Sequence, residues 1–172
     1  MKNLILFLGI VLSVSVYSQT TDERAYLVKV GDTAPNFTMK LTDGKVVKLS
    51  DFKGNVVMLQ FTASWCGVCR KEMPFIEKEI WQKHKLNPNF ILLAIDRDEP
   101  LETVRKFAKS IPITYRIGLD PKANIFALYA EREAGITRNV IIDKNGKIVM
   151  LTRLYNVEEF ANMTKLIDGM LK

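Results

Sequence analysis

Along "PNFTMKLTDGKVVKLS" apolar and polar residues alternate, Phe37, Met39 and Leu41 on one side of Asp43-Gly44 and Val46, Val47 and Leu49 on the other. Alternation interrupted by Asp-Gly predicts a β-hairpin, because that dipeptide accepts the positive φ angles of a tight turn. Ser50 to Gly54 reads as a capped turn closed by glycine. Val56 to Phe61 is apolar except for Gln60, the pattern of a strand buried on both faces. From Cys66 the period lengthens: Cys69, Met73, Ile76 and Ile80 fall three and four apart and share one helical face. Pro74 lies inside that run without a backbone donor, which predicts a kink. Phe90 to Ile95 is a second buried strand, Glu99 to Ser110 a second amphipathic helix and Ile113 to Ile117 a short strand. Asp120-Pro121 opens a helical stretch ending near Ala130. Asn139 to Asp143 and Lys147 to Leu151 flank Asn145-Gly146 as a terminal hairpin, and Val157 to Leu171 is a closing helix. Strands alternating with helices, then a hairpin, predict an α/β domain with a central mixed sheet flanked by helices.

The first residues do not belong to this pattern. Lys2 precedes an apolar run, Leu4 to Leu12, and the stretch Val16-Tyr17-Ser18 provides a small-x-small exit, the layout of a secretory signal peptide over residues 1–18. The run is shorter than the ~20 residues a bilayer span needs, so an uncleaved anchor is the weaker reading and no stable span is expected after cleavage. No cysteine lies near the exit, which argues against lipid attachment. Residues 19–172 form the expected domain, and 48% hydrophobic composition suits a packed core. The formal charge is +6 without a basic block of five, so it reads as a solvated surface favouring acidic partners and not as a nucleic-acid footprint.

Export places the two cysteines, Cys66 and Cys69, where a disulfide can persist. As a structural clip the pair would close too short a loop to constrain the unfolded chain much. As a metal site it lacks ligands: the chain has one histidine, and a helix from Cys69 to His84 would separate the two by roughly 22 Å. His84 reads as a surface residue. As a working dithiol the spacing fits. Cys66 at the first turn of a helix meets free N–H groups and the helix dipole, which make a thiol more acidic. Cys69, one turn on, is placed to attack a mixed disulfide at Cys66, and Arg70 adds a cation. Glu72, at i+3 from Cys69, is positioned either to exchange protons with the resolving thiol or to pair on the surface with Arg70 or Lys71.

"WCGVCRKEMP", following a buried strand and the "APNF…DGK…L" hairpin, resembles the TlpA/ResA-like branch of the thioredoxin superfamily over most of Thr33 to Leu171. The resemblance implies a thioredoxin-like fold with an N-terminal β-hairpin extension, and a periplasmic thiol–disulfide oxidoreductase, often a reductase. It implies no bound cofactor beyond the redox-active Cys66–Cys69 disulfide and no metal. It assigns Glu72, in the family's K-E-x-P position, a proton-transfer role. Gln60 stands where many thioredoxins bury an aspartate and cannot take a proton, which leaves that task to Glu72. The expected partners are protein disulfide substrates and an upstream electron donor, with the protein itself a monomer. A docking surface of Trp65, Gly67, Val68, Ile136 and Thr137 is expected beside the dithiol, with pure packing as the rival role for Trp65.

One position departs from the family pattern. Where the superfamily places a cis-proline before the last hairpin, this chain reads Gly135-Ile136-Thr137-Arg138. A cis bond before a non-proline costs ~2.5–4 kcal/mol, so the Ile136–Thr137 bond is expected to be trans. Thr137 is expected to face the dithiol and shape substrate access without doing chemistry, Gly135 supplying backbone freedom and Arg138 a nearby cation. A drifted loop is the bland alternative. Threonine then arginine also resembles peroxiredoxins, but their P-x-x-x-[ST]-x-x-C pattern meets Leu59 and Ala63 here. Peroxidase activity and a redox-silent binding domain are the rival functions.

Overall fold

The computed structural model describes residues 24–172, so the signal-peptide reading of residues 1–18 lies outside the described residues. The first alternating stretch forms β1 (Thr38–Leu41) and β2 (Val46–Lys48), with Met39 and Leu41 turned into the core. Gly44 makes their turn at φ 92°. After a 3-10 turn, β3 (Val56–Thr62) is buried at every residue. It leads into α1 (Gly67–Ile76). The helix runs through Pro74, and its hydrogen bonding widens to a π segment, Glu77–Trp81, before closing as α2 (Gln82–His84). β4 (Phe90–Arg97) and α3 (Leu101–Ser110) follow, then β5 (Arg116–Asp120), β6 (Arg138–Ile142), β7 (Ile148–Arg153) and α4 (Val157–Met170).

The strands make one seven-stranded mixed sheet in the order β2-β1-β5-β4-β3-β6-β7. β3, β4 and β5 are parallel, and β6 returns antiparallel against β3. The N-terminal hairpin extends this sheet by pairing β1 antiparallel to β5. Gly118 makes room for that junction: a Cβ there would lie 2.1 Å from Met39 Sδ.

Three expected elements differ. The helix after Asp120-Pro121 is only a 3-10 turn, Phe126–Leu128. Asp120 ends β5, its carboxylate accepts the Phe126 N–H at 2.8 Å, and Ala123 adopts φ 51°, which interrupts helical winding. The fifth strand starts at Arg116 instead of Ile113, because the preceding residues are committed to cross-links: Thr114 donates to Glu77 through both N–H and hydroxyl, and Tyr115 donates to Gln60. α3 begins two residues late because Glu99 is held by Ser64 and Pro100 serves as the N-cap. His84 is half-buried and not a plain surface residue; its Nε2 meets Asp168 Oδ1 at 2.7 Å, tying α2 to α4.

Candidate active site

β3 and the loop Ala63-Ser64-Trp65 carry the chain to the end of α1, where Cys66 is the N-cap with extended backbone geometry. Cys66 and Cys69 are joined as a disulfide with Cα atoms 5.3 Å apart. The Cys69 N–H donates to Cys66 Sγ at 3.1 Å, so an end group of the helix is aimed at that sulfur. Cys66 retains 6% exposure and Cys69 none. The bridge is entered from the Cys66 side.

Glu72 is not a surface carboxylate. It is 2% exposed, and burial pushes its carboxyl up to about 7, opposed by hydrogen bonding from Asn139 and, less, from the Gln60 amide, with the Glu159 charge adding slightly to the rise. Asn139 Nδ2 donates to Glu72 Oε1 at 2.8 Å and to Thr152 Oγ1 at 2.9 Å. The Gln60 amide lies close enough to Glu72 to oppose that rise but falls outside good hydrogen-bond geometry, leaving Glu72 Oε2 and Gln60 Nε2 without a well-formed bond. Gln60 and Asn139 are register partners on β3 and β6, which places the amides side by side beneath α1.

The Thr137 hydroxyl lies 3.2 Å from Cys66 Sγ and 3.3 Å from Cys69 Sγ. Among the described residues no peptide bond is cis, so the Ile136–Thr137 bond is trans. The Thr137 carbonyl accepts the Leu154 N–H at 3.1 Å. Gly135 answers a different need from the one expected: it has no positive φ, and a Cβ there would stand 2.3 Å from Arg153 Nη2. Arg138 is buried, but its guanidinium lies 4.4 Å from the Tyr26 ring and its Nε donates to Gly135 O. Arg70 likewise turns away from the sulfurs, donating to Ser64 O and Ser110 Oγ.

The expected docking residues divide in two. Trp65, Gly67 and Val68 stand exposed around Cys66, Trp65 at 60%. Ile136 is buried, and Thr137 is buried against the disulfide.

Sequence reasoning missed an acidic pair, Asp96 and Glu99. Asp96 is the penultimate residue of β4, before the also buried Arg97; burial first, then the charge and hydrogen bond of Glu99 and the Asp98 charge, push it up to about 8. Among the described residues no N–H or hydroxyl donates to its oxygens, and its one hydrogen-bonding neighbour is the Glu99 carboxyl, a contact that favours the protonated form. Glu99 accepts from Ser64 N–H and Ser64 Oγ, both at 2.6 Å, and so holds the loop before Cys66. An aspartate directly following the apolar run Phe90 to Ile95 was the available signal. Arg97 was missed too: it donates to the Arg132 and Ala134 carbonyls and lies 5.8 Å from the Trp65 ring. Among the described residues no group of three His, Cys, Asp or Glu side chains is arranged for a metal.

A family model described as Redoxin matches residues 29–167. The chain belongs to the Redoxin family. The chain is 33% identical over 122 residues to the thiol-disulfide oxidoreductase ResA of Bacillus thuringiensis subsp. konkukian, covering 71% of this chain and 68% of that one. A solution structure from Bacteroides thetaiotaomicron, provisionally named a protein disulfide isomerase, is 67% identical with a TM-score of 0.84, covering 86% of this chain and 92% of that one. A crystal structure from Chlorobium tepidum, provisionally named thiol:disulfide interchange protein DsbE, is 31% identical with a TM-score of 0.74, covering 84% and 99%. Within the Redoxin family the chain is thus of the ResA/TlpA-like, thioredoxin-fold kind, and it is a thiol–disulfide oxidoreductase.

Proposed function

We propose that this protein reduces protein disulfides in the periplasm, after removal of a signal peptide spanning residues 1–18. The observation that carries the reading is the asymmetry of the pair: Cys66 caps α1 and is reachable, while Cys69 is fully enclosed. The Cys66 thiolate attacks one sulfur of a substrate disulfide; that bond breaks and the departing sulfur takes up a proton. Cys69 then gives its proton to Glu72 and attacks Cys66 Sγ. The mixed disulfide breaks, the second substrate sulfur leaves and is protonated, and Cys66–Cys69 closes with two electrons transferred. A carboxyl titrating near 7 is suited to that proton exchange at neutral pH.

Trp65, Gly67 and Val68 supply the exposed rim on which a substrate segment docks, with the Ile136–Thr137 backbone opposite. The TlpA/ResA-like kinship supports the reductive direction. An upstream donor restores the dithiol, no bound cofactor takes part, and the protein works as a monomer. No helix of the described residues is long and apolar enough to cross a membrane.

The test uses two measurements. Alkylation of the reduced protein at mildly acidic pH should modify Cys66 first, and Cys69→Ser should accumulate mixed disulfides through Cys66. Preferential modification of Cys69 would reverse the roles. Direction is decided by offering the reduced protein an oxidised protein substrate and the oxidised protein a reduced one; faster turnover in the second case would make it an oxidase.

A further inference from the structure

We infer that Thr137 is a catalytic residue, its hydroxyl donating a hydrogen bond to the sulfur that carries negative charge during exchange. The inference rests on the dithiol reading above but not on the direction of electron flow. In the disulfide neither sulfur carries a proton, so at the two contacts the threonine must be the donor. Its Oγ1 is 3.2 Å from Cys66 Sγ and 3.3 Å from Cys69 Sγ, within donor reach of either by a rotation of the O–H bond alone. Thr137 is 3% exposed, so water does not compete freely for that hydroxyl. The backbone holds it in place: the Thr137 carbonyl accepts from Leu154, and the next residue, Arg138, is already paired with Phe61 and Arg153 in the sheet. A proline here would bring neither hydroxyl nor N–H.

A disulfide sulfur is a weak acceptor and a thiolate a strong one, so the bond gains strength when the pair is reduced and Cys66 ionises. The Cys66 thiolate then has two donors, the Cys69 N–H already aimed at it and the Thr137 hydroxyl. In the resolving step the Cys69 lone pair forms the new S–S bond while the Cys66–substrate bond breaks and its electron pair leaves on the substrate sulfur. Negative charge moves from Cys69 through Cys66, and the hydroxyl sits between the two. The consequences are a more acidic Cys66 and a more stable reduced form.

The experiment compares Thr137→Val, which keeps the shape and loses the hydroxyl, with Thr137→Ser, which keeps the hydroxyl. The ionisable groups at this end of the sheet, Arg70 and Glu72 on α1, Asp96, Arg97, Asp98 and Glu99 at and after β4, and Arg138 and Arg153 on β6 and β7, are unchanged in both. Two readouts need no protein substrate: ultraviolet thiolate absorbance of the reduced protein against pH, and equilibration of the dithiol with a glutathione buffer. Thr137→Val should weaken Cys66 acidity about tenfold and shift the equilibrium about tenfold toward the disulfide, which is ~30 mV for a two-electron couple. Thr137→Ser should stay within about twofold of wild type on both. If Thr137→Val does not fold, Thr137→Ala makes the same comparison. A hydroxyl-free variant matching wild type on both measures, or serine matching the hydroxyl-free variant, overturns the inference. An inert or oxidising wild type toward protein substrates would defeat only the reductase reading.

Discussion

The two ends of the β3–β6 ladder are built from opposite materials. At one end Val57, Met58 and Leu59 face Ile142, Ile141 and Val140, all apolar and buried, beside a cleft of about 240 Å³ lined by residues such as Leu49, Phe52 and Val57. One register step further, Gln60 faces Asn139 and Phe61 faces Arg138, and the buried set becomes polar: Thr62, Glu72, Asp96, Thr137 and Thr152. Buried polar atoms short of a well-formed hydrogen bond gather there too, among them Gln60 Nε2, Glu72 Oε2 and both Asp96 oxygens. Burying such groups without partners costs stability. The apolar end supplies the burial that offsets this cost, and the polar end carries the chemistry.

That division is broken most forcefully from the apolar side. Leu59→Ala should remove about 2–5 kcal/mol of stability by opening a cavity, while exchange per folded molecule stays at the wild-type rate. Denaturant unfolding beside a disulfide-reduction assay checks both halves, and a matching loss of intrinsic rate would show that the two ends are not separable.

Glu72→Gln reverses the pattern. Exchange above pH 7 should fall on the order of 10²-fold, the lower range for a general acid or base, and the inflection near pH 7 should vanish from the rate profile. Stability should move the other way. The folded carboxyl binds its proton up to about 7, above its ordinary value of 4.5, so wild-type stability declines as pH rises through that window. Glutamine removes the decline. A variant profile overlaying wild type would reduce Glu72 to a packing residue.

Asp96→Asn sharpens the contrast with a smaller effect. The Asp96 carboxyl is raised to about 8 from 3.8, so it subtracts stability increasingly from pH 4 to 8 and by a constant amount above. Asparagine should regain about 1–3 kcal/mol at pH 9, less than the full ionisation cost because burying the amide carries its own desolvation penalty. Near pH 4 the gain should disappear. Thermal unfolding at the two pH values measures it, and equal gains at both would show that ionisation is not the cause.

Local pattern was enough for much of this protein. Alternation around Asp43-Gly44, the apolar runs of β3 and β4 and the three-four spacing after Cys66 specified elements that formed where expected, because each rests on neighbours in sequence. The Cys66-x-x-Cys69 spacing at a strand-to-helix junction pointed to the dithiol for the same reason. Where prediction slipped, a distant partner had claimed the residues: Thr114 and Tyr115 were taken by Glu77 and Gln60, and Asp120 capped the Phe126 turn in place of a helix. Burial of Glu72 depended on β6 passing beneath α1, which no spacing within the helix reveals. The same holds for Asp96 and for the Thr137 hydroxyl, separated from Cys66 by 71 residues yet 3.2 Å from its sulfur. Sequence by itself determined the Cys66-x-x-Cys69 pair and the strands and helices that rest on local pattern. Only tertiary structure decided which side chains lose water and meet across the sheet, and desolvation and proximity are what shift an acidity and aim a donor.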